Sequence, residues 1–75
     1  MRILVVDDEP DVVESVSLGF QLQWREVDVI GAADGERALD AVEQEQPDIV
    51  LLDIGLPGLD GFEVLRRIRD FSDVP

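Results

Sequence analysis

The fold is decided by two short stretches: Ile-Leu-Val-Val-Asp-Asp at residues 3–8 and Ile-Val-Leu-Leu-Asp at residues 49–53. Each is a run of four apolar residues that ends in aspartate. Short continuous apolar runs bounded by polar residues are typical of strands covered on both faces, as in a parallel sheet. A third stretch, residues 27–30, is interrupted by Asp28 and therefore predicts a half-exposed strand at the sheet edge.

Three further segments predict helices. Residues 36–45 and 62–71 have apolar side chains at helical spacing, and the second also has Glu63 four residues before Arg67 in the favourable order. Residues 11–24 are ambiguous, because their apolar residues fit both a helical stripe and a strict alternation. We interpret them as a helix, since two parallel strands need a long crossover between them.

The helical interpretation of residues 11–24 has two consequences. Asp11 is expected to be the N-cap, with Glu14 three residues later completing a capping box. Leu18 and Leu22 then point away from the apolar stripe of the helix. We therefore expect both to lie in an interface or to be more than about a third exposed.

The elements alternate as strand, helix, strand, helix, strand, helix within one domain over residues 1–75. Right-handed crossovers with helices on both faces predict an α/β fold, a doubly wound parallel sheet in the spatial order 2-1-3. Residues 73–75 are typical of the approach to a further strand, because Pro suits the first position of a strand. We therefore expect the chain to be truncated.

The composition narrows the range of functions. The 75 residues include 6 basic and 18 acidic ones, giving a net charge of −12, and there is neither His nor Cys. This excess of acid opposes contact with nucleic-acid phosphates or anionic lipid and favours cations or basic partners. Catalysis by Cys or His is excluded. Every apolar run is far shorter than the roughly 18 residues of a membrane helix, so we expect a cytoplasmic protein.

Three aspartates are expected to converge at one rim of the sheet. Asp7 and Asp8 follow the first strand and Asp53 ends the third, and open parallel sheets bind ligands outside the carboxyl ends of their strands. At about 5 Å and an effective dielectric of about 20, each carboxylate pair costs roughly 3 kcal/mol before water or pKa shifts relieve it. A bound cation is therefore expected, and oxygen-only ligands at a shallow site favour Mg²⁺ over Ca²⁺.

Two motifs resemble a known family. Residues 4–9, Leu-Val-Val-Asp-Asp-Glu, and residues 51–61, Leu-Leu-Asp-Ile-Gly-Leu-Pro-Gly-Leu-Asp-Gly, resemble the receiver domain of two-component response regulators and stand at the family's usual separation. The resemblance covers the whole chain but only about the first three fifths of a receiver. It implies a flavodoxin-like (CheY-like) fold of which the first three β-α units are present.

The resemblance implies roles for individual residues. Asp53 would be the phosphoacceptor that takes a phosphoryl group from a sensor histidine kinase, which makes the chain a signalling domain and not an enzyme. Asp8 would ligate Mg²⁺ directly, Asp7 mainly through water, and Gly55 through its backbone carbonyl. Three further residues would shape the loop into the third helix: Pro57, Asp60 and Gly61.

Two departures from the family pattern limit this implication. The family's fourth strand ends in Ser or Thr and its fifth in Lys; neither strand falls within these residues, and the chain has no Lys. The fragment alone is therefore expected to be incomplete for switching, since these residues stabilise and report the transferred charge. It is itself expected to contact neither nucleic acid nor membrane, although a full-length protein could carry a DNA-binding output domain.

Two alternative functions stay open. A metal-dependent aspartyl phosphatase would use the same nucleophile, but it would normally need a second acid where Gly55 stands. A structural fragment of a receiver would oligomerise without signalling. If the sheet ends at residues 49–52, that edge has unpaired N–H and C=O groups, so we expect a homodimer through this edge or the helix faces beside it.

Overall fold

The computed structural model describes residues 1–24, 26–53 and 61–75. Strands and helices alternate along these ranges. In chain order they are β1 (Arg2–Val6), α1 (Pro10–Gln23), β2 (Asp28–Ala32), α2 (Gly35–Glu45), β3 (Ile49–Leu52) and α3 (Gly61–Arg69). The predicted order of elements is therefore confirmed, with boundaries that differ from the expected ones by a few residues.

The strands form a parallel sheet in the order β2-β1-β3, as predicted. β1 is central and pairs with both neighbours, so that Val6, its last residue, stands opposite Ala32 of β2 and Leu52 of β3. The segment interrupted by Asp28 is an edge strand, as its half-polar sequence predicted. This register brings the ends of β1 and β3 to the same level of the sheet.

The core lies on both faces of β1. Leu4 and Val6 belong to one buried cluster together with residues of α2 and α3, such as Val42 and Val64. On the opposite face, Ile3 and Val5, which alternate with Leu4 and Val6 along β1, pack against α1. Two-sided burial explains the unbroken apolar run, because a polar side chain at any of these positions would lose its water without gaining a partner.

The helical interpretation of the ambiguous segment is confirmed, but its predicted cap is wrong. α1 begins at Pro10, with Glu9 as the N-cap residue, and not at Asp11. Proline is favoured in the first turn because its fixed φ suits the helix and its missing N–H would have had no helical partner. Leu18 is 57% exposed and Leu22 is 79% exposed, as expected from their position off the apolar stripe.

The outer edge of β3 is less open than the sequence suggested. The backbone N–H of Val50 donates to the carbonyl of Pro75 at 3.0 Å, and Val74 packs against the core cluster. The expectation of a fully unpaired edge is therefore wrong at Val50, because the last described residues return beside the strand.

Among the described helices, none has both the length and the apolar character needed to cross a membrane.

The exposed side of α3 has a compact group of ion pairs. Glu63 Oε1 accepts from Arg66 Nη2 at 2.6 Å and from Arg67 Nε at 3.1 Å. The hydrogen bonds from Arg66, followed by those from Arg67, lower the pKa of Glu63 from its ordinary value of 4.5 to about 2. These arginines therefore stabilise their own helix, in the i, i+3 and i, i+4 spacing that places side chains side by side.

This lowered pKa makes the contribution of Glu63 to stability depend on pH. The carboxylate is favoured in the folded state, so its contribution is complete above pH 4.5 and is lost as the pH falls towards about 2. We expect Glu63→Gln to lower the free energy of unfolding near neutral pH, and the difference from the native chain to shrink across that acidic range. Urea unfolding at a series of pH values measures it.

The control is Glu43→Gln, which removes the same charge from an exposed position on α2. It separates the effect of net charge from that of the α3 ion pairs. A difference between the native chain and Glu63→Gln that stays constant from neutral pH down to about 2 would contradict the assignment.

Candidate functional site

Backbone hydrogen bonds place two of the three predicted aspartates. The carbonyl of Val6 accepts from the N–H of Asp53 at 3.0 Å, and the N–H of Asp7 donates to the carbonyl of Ala32 at 3.0 Å. Consecutive backbone groups at the end of β1 thus bind opposite neighbours, β3 and β2. Asp7 and Asp53 each stand one residue past the last pair of the ladder, at the carboxyl rim of the sheet.

The turn after β1 adds the third aspartate. Asp7 Oδ1 accepts from the N–H of Glu9 at 2.9 Å, which folds the turn over and leaves Asp8 exposed between them. One carboxylate oxygen from each of Asp7, Asp8 and Asp53 lies within 4.8 Å of the other two. The predicted convergence of these three side chains is therefore observed.

The acidic group lies between water and the apolar core. Asp8 is exposed, whereas Asp7 and Asp53 are half-buried. A cleft of about 330 Å³ borders both half-buried aspartates, and its remaining walls are apolar residues of β1, β3 and α1. A reactant at this rim therefore meets solvent on one side and a wall of low polarity on the other, where charges interact more strongly than in water.

The donor set fits a hard divalent cation. Three carboxylates offer oxygen ligands at one point, and their mutual repulsion falls when a cation lies among them. Mg²⁺ holds several of its waters and takes only a few protein oxygens, so a half-open rim suits it better than a closed cage would. Asp7, Asp8 and Asp53 are the described residues that would hold the ion.

Of the other predicted site residues, only Gly61 lies within the described part of the chain. Gly55, Pro57 and Asp60 lie outside the described residues, whereas Gly61 is buried and begins α3. One group that positions the site was not identified from the sequence. This group is the carbonyl of Ala32, which accepts a hydrogen bond from the N–H of Asp7. The available signal was the small-residue stretch that ends β2, but the bond depends on strand register, which residue types alone do not specify.

Family comparison gives a match over nearly the whole chain. The response regulator receiver domain family matches residues 3–75. A curated relative, the DNA-binding response regulator MtrA of Mycolicibacterium smegmatis, is 46% identical over 74 residues, which make up 99% of this chain and 32% of that protein. The chain therefore spans about a third of the length of this relative.

Solved structures agree in fold. The N-terminal domain of a response regulator receiver protein from Methanoculleus marisnigri JR1 has a TM-score of 0.91 and 38% identity, over 99% of this chain and 61% of that one. The BeF3-activated N-terminal receiver domain of Klebsiella pneumoniae RstA has a TM-score of 0.85 and 36% identity, over 97% of this chain and 61% of that one. The match spans less than two thirds of either structure.

Proposed function

Because this chain belongs to the family of response regulator receiver domains, we propose that it accepts a phosphoryl group on Asp53 with Mg²⁺ held by Asp7, Asp8 and Asp53. A receiver domain is a signalling domain, and its fold here is the CheY-like flavodoxin fold in its first three β-α units. The observation that carries the proposal is the meeting of three carboxylate oxygens within 4.8 Å at the rim of the sheet.

The proposed reaction is a transfer between two nucleophiles. An Asp53 carboxylate oxygen forms a bond to phosphorus as the bond from phosphorus to a histidine nitrogen of the donor breaks, and an acyl phosphate results. A bound Mg²⁺ supplies charge neutralisation, which allows an anionic phosphoryl group to approach an anionic carboxylate. The backbone bond from Asp53 to Val6 holds the acceptor at the rim during this approach.

The proposed donor is a sensor histidine kinase. Receiver domains of response regulators interact with histidine kinases, and the phosphohistidine of such a kinase would supply the phosphoryl group that Asp53 accepts. We assign no nucleic-acid contact to these 75 residues, because their net charge of −12 repels phosphate backbones.

For the metal, the Gly55 carbonyl stays part of the proposed ligand set through the family's motif.

Mg²⁺ affinity tests the proposed ligands. We expect Asp53→Asn and Asp8→Asn each to weaken Mg²⁺ binding by about tenfold or more, since each replaces an anionic ligand of a hard cation by a neutral amide. Titration calorimetry would follow the binding. Asp40→Asn is the matched control, because it removes one carboxylate from an exposed position of α2. Unchanged affinity in Asp53→Asn would contradict the assignment.

Phosphoryl transfer tests the acceptor itself. Incubated with a small acyl phosphate and Mg²⁺, the chain is expected to gain the mass of one phosphoryl group, and hydroxylamine should remove it. The reaction should be slow, because the chain has no Lys to neutralise the transferred charge. Asp53→Asn or chelation of Mg²⁺ should abolish it, and Asp40→Asn should not. Equal modification of Asp53→Asn would place the acceptor elsewhere.

We also propose that the 75-residue chain forms a homodimer through the part of the β3 edge that Pro75 leaves open or through the helix faces beside it. Leu51 of β3 and Phe62 and Leu65 of α3 are exposed apolar side chains. The net charge of −12 opposes self-association, so salt should promote it. Sedimentation is expected to detect more dimer as salt rises from about 0.1 M to about 1 M, where the Debye length falls from about 10 Å to about 3 Å.

A pair of variants locates this interface. Phe62→Asp and Leu22→Asp add the same charge at exposed positions, one on α3 and one on α1. We expect only Phe62→Asp to reduce the dimer. A mass of 8.3 kDa at every salt concentration would exclude association of this chain.

A further inference from the structure

A closed ring of contacts ties β2 to the turn that bears the acidic site. The carbonyl of Ala32 accepts from the N–H of Asp7, and Asp7 Oδ1 accepts from the N–H of Glu9. The carbonyl of Glu9 accepts in turn from the N–H of Val13 at 3.3 Å, in the first turns of α1. Val13 contacts the backbone at Gly31, the covalent neighbour of Ala32, and so completes the ring.

The ring closes only because residue 31 has no side chain. A Cβ built on Gly31 would lie 2.8 Å from Cγ1 of Val13, which is far inside van der Waals contact. Valine is a stiff neighbour, since one χ1 rotamer strongly dominates for β-branched residues in helices. The clash would therefore move α1 away from β2 or force Val13 from its preferred rotamer.

Space, and not backbone conformation, is the reason for this glycine. Gly31 has no left-handed φ, so its backbone conformation is open to other residues. It lies on the exposed edge strand β2, where larger side chains usually favour strand formation. A cleft of about 360 Å³ between α1 and β2 is lined by Gly31, Val13 and Asp7 together, so the close approach occurs directly beside the acidic site.

We infer that Gly31 is a positioning residue for the metal-binding carboxylates, an inference that rests on the proposed function. It lets Val13 approach β2, and the bonds through Glu9 then hold Asp7 and Asp8 in the turn where they face Asp53. Displacing Val13 would pull on the Glu9 carbonyl and, through the N–H of Glu9, on Asp7 Oδ1. Gly31 touches no ion and acts only through this ring.

The test adds a Cβ at residue 31 and then removes the resulting clash by shortening the side chain of residue 13. We expect Gly31→Ala to weaken Mg²⁺ affinity by about tenfold, the lower range for residues that orient metal ligands. In Gly31→Ala with Val13→Ala the new methyl group would lie 3.9 Å from the Cβ of Val13, an ordinary contact. This double variant should recover the native affinity. Val13→Ala alone should stay near it, because it removes the side-chain contact at Gly31 without creating a clash, and the hydrogen bonds that hold Asp7 and Glu9 remain.

Gly19→Ala is the matched control, since an added Cβ there meets nothing within 4 Å. It makes the same change within α1, and it should leave Mg²⁺ affinity unchanged. Mg²⁺ affinity and urea stability are measured for every variant, because a purely structural role for Gly31 would lower stability without changing the affinity of the folded protein.

Each result of these measurements either supports or overturns the inference. A folded Gly31→Ala variant with native Mg²⁺ affinity overturns the inference, and so does a double variant that stays weak. If Gly31→Ala does not fold, the double variant decides: native affinity supports the inference, whereas weak affinity or failure to fold overturns it. If the native chain binds no Mg²⁺, or binds it independently of Asp8 and Asp53, the proposed function fails, and with it the basis of this inference.

Discussion

The pairing of β1 with strands on both sides sets the positions of the other elements and of the acidic rim. At its carboxyl end the carbonyl of Val6 binds β3, while the next N–H, that of Asp7, binds β2. A single peptide unit, the amide that joins Val6 to Asp7, thus fixes the heights of three strand ends relative to one another. Because parallel strands share one direction, this single alignment brings residues far apart in sequence to one rim.

Burial on both faces of the sheet explains why the charges collect at that rim. The interior positions of β1 are occupied by apolar side chains that contact helices on either side. A carboxylate within the strand would lose water without gaining a partner, whereas one residue past its end it keeps solvent on one side. Two neighbouring residues therefore have different roles: Val6 is buried in the core, and Asp7 contributes a carboxylate to the acidic group.

The described contacts also show how local turns and distant packing support each other. The Asp7 carboxylate accepts from the N–H of Glu9, and the carbonyl of Glu9 accepts from the N–H of Val13, so the acidic turn and the first turn of the helix form one hydrogen-bonded unit. That unit lies close to β2, and the absence of a side chain at Gly31 leaves the space that Val13 occupies there. A helix that covers the core thereby also restrains the carboxylates at its amino end, although its outer leucines face solvent.

Sequence alone determined the alternation of elements and the positions of Asp7, Asp8 and Asp53 just after apolar runs, because such runs and the polar residues that end them are local signals. The central place of β1 followed from the right-handed crossover rule. Tertiary structure decided the rest. The start of α1 at Pro10 has a local cause, since Pro suits the first turn of a helix, but the return of Pro75 to Val50 and the fit of Gly31 against Val13 depend on register and on distances between elements. Such distances come from how whole faces pack, and they have no signature in the order of residues along one segment.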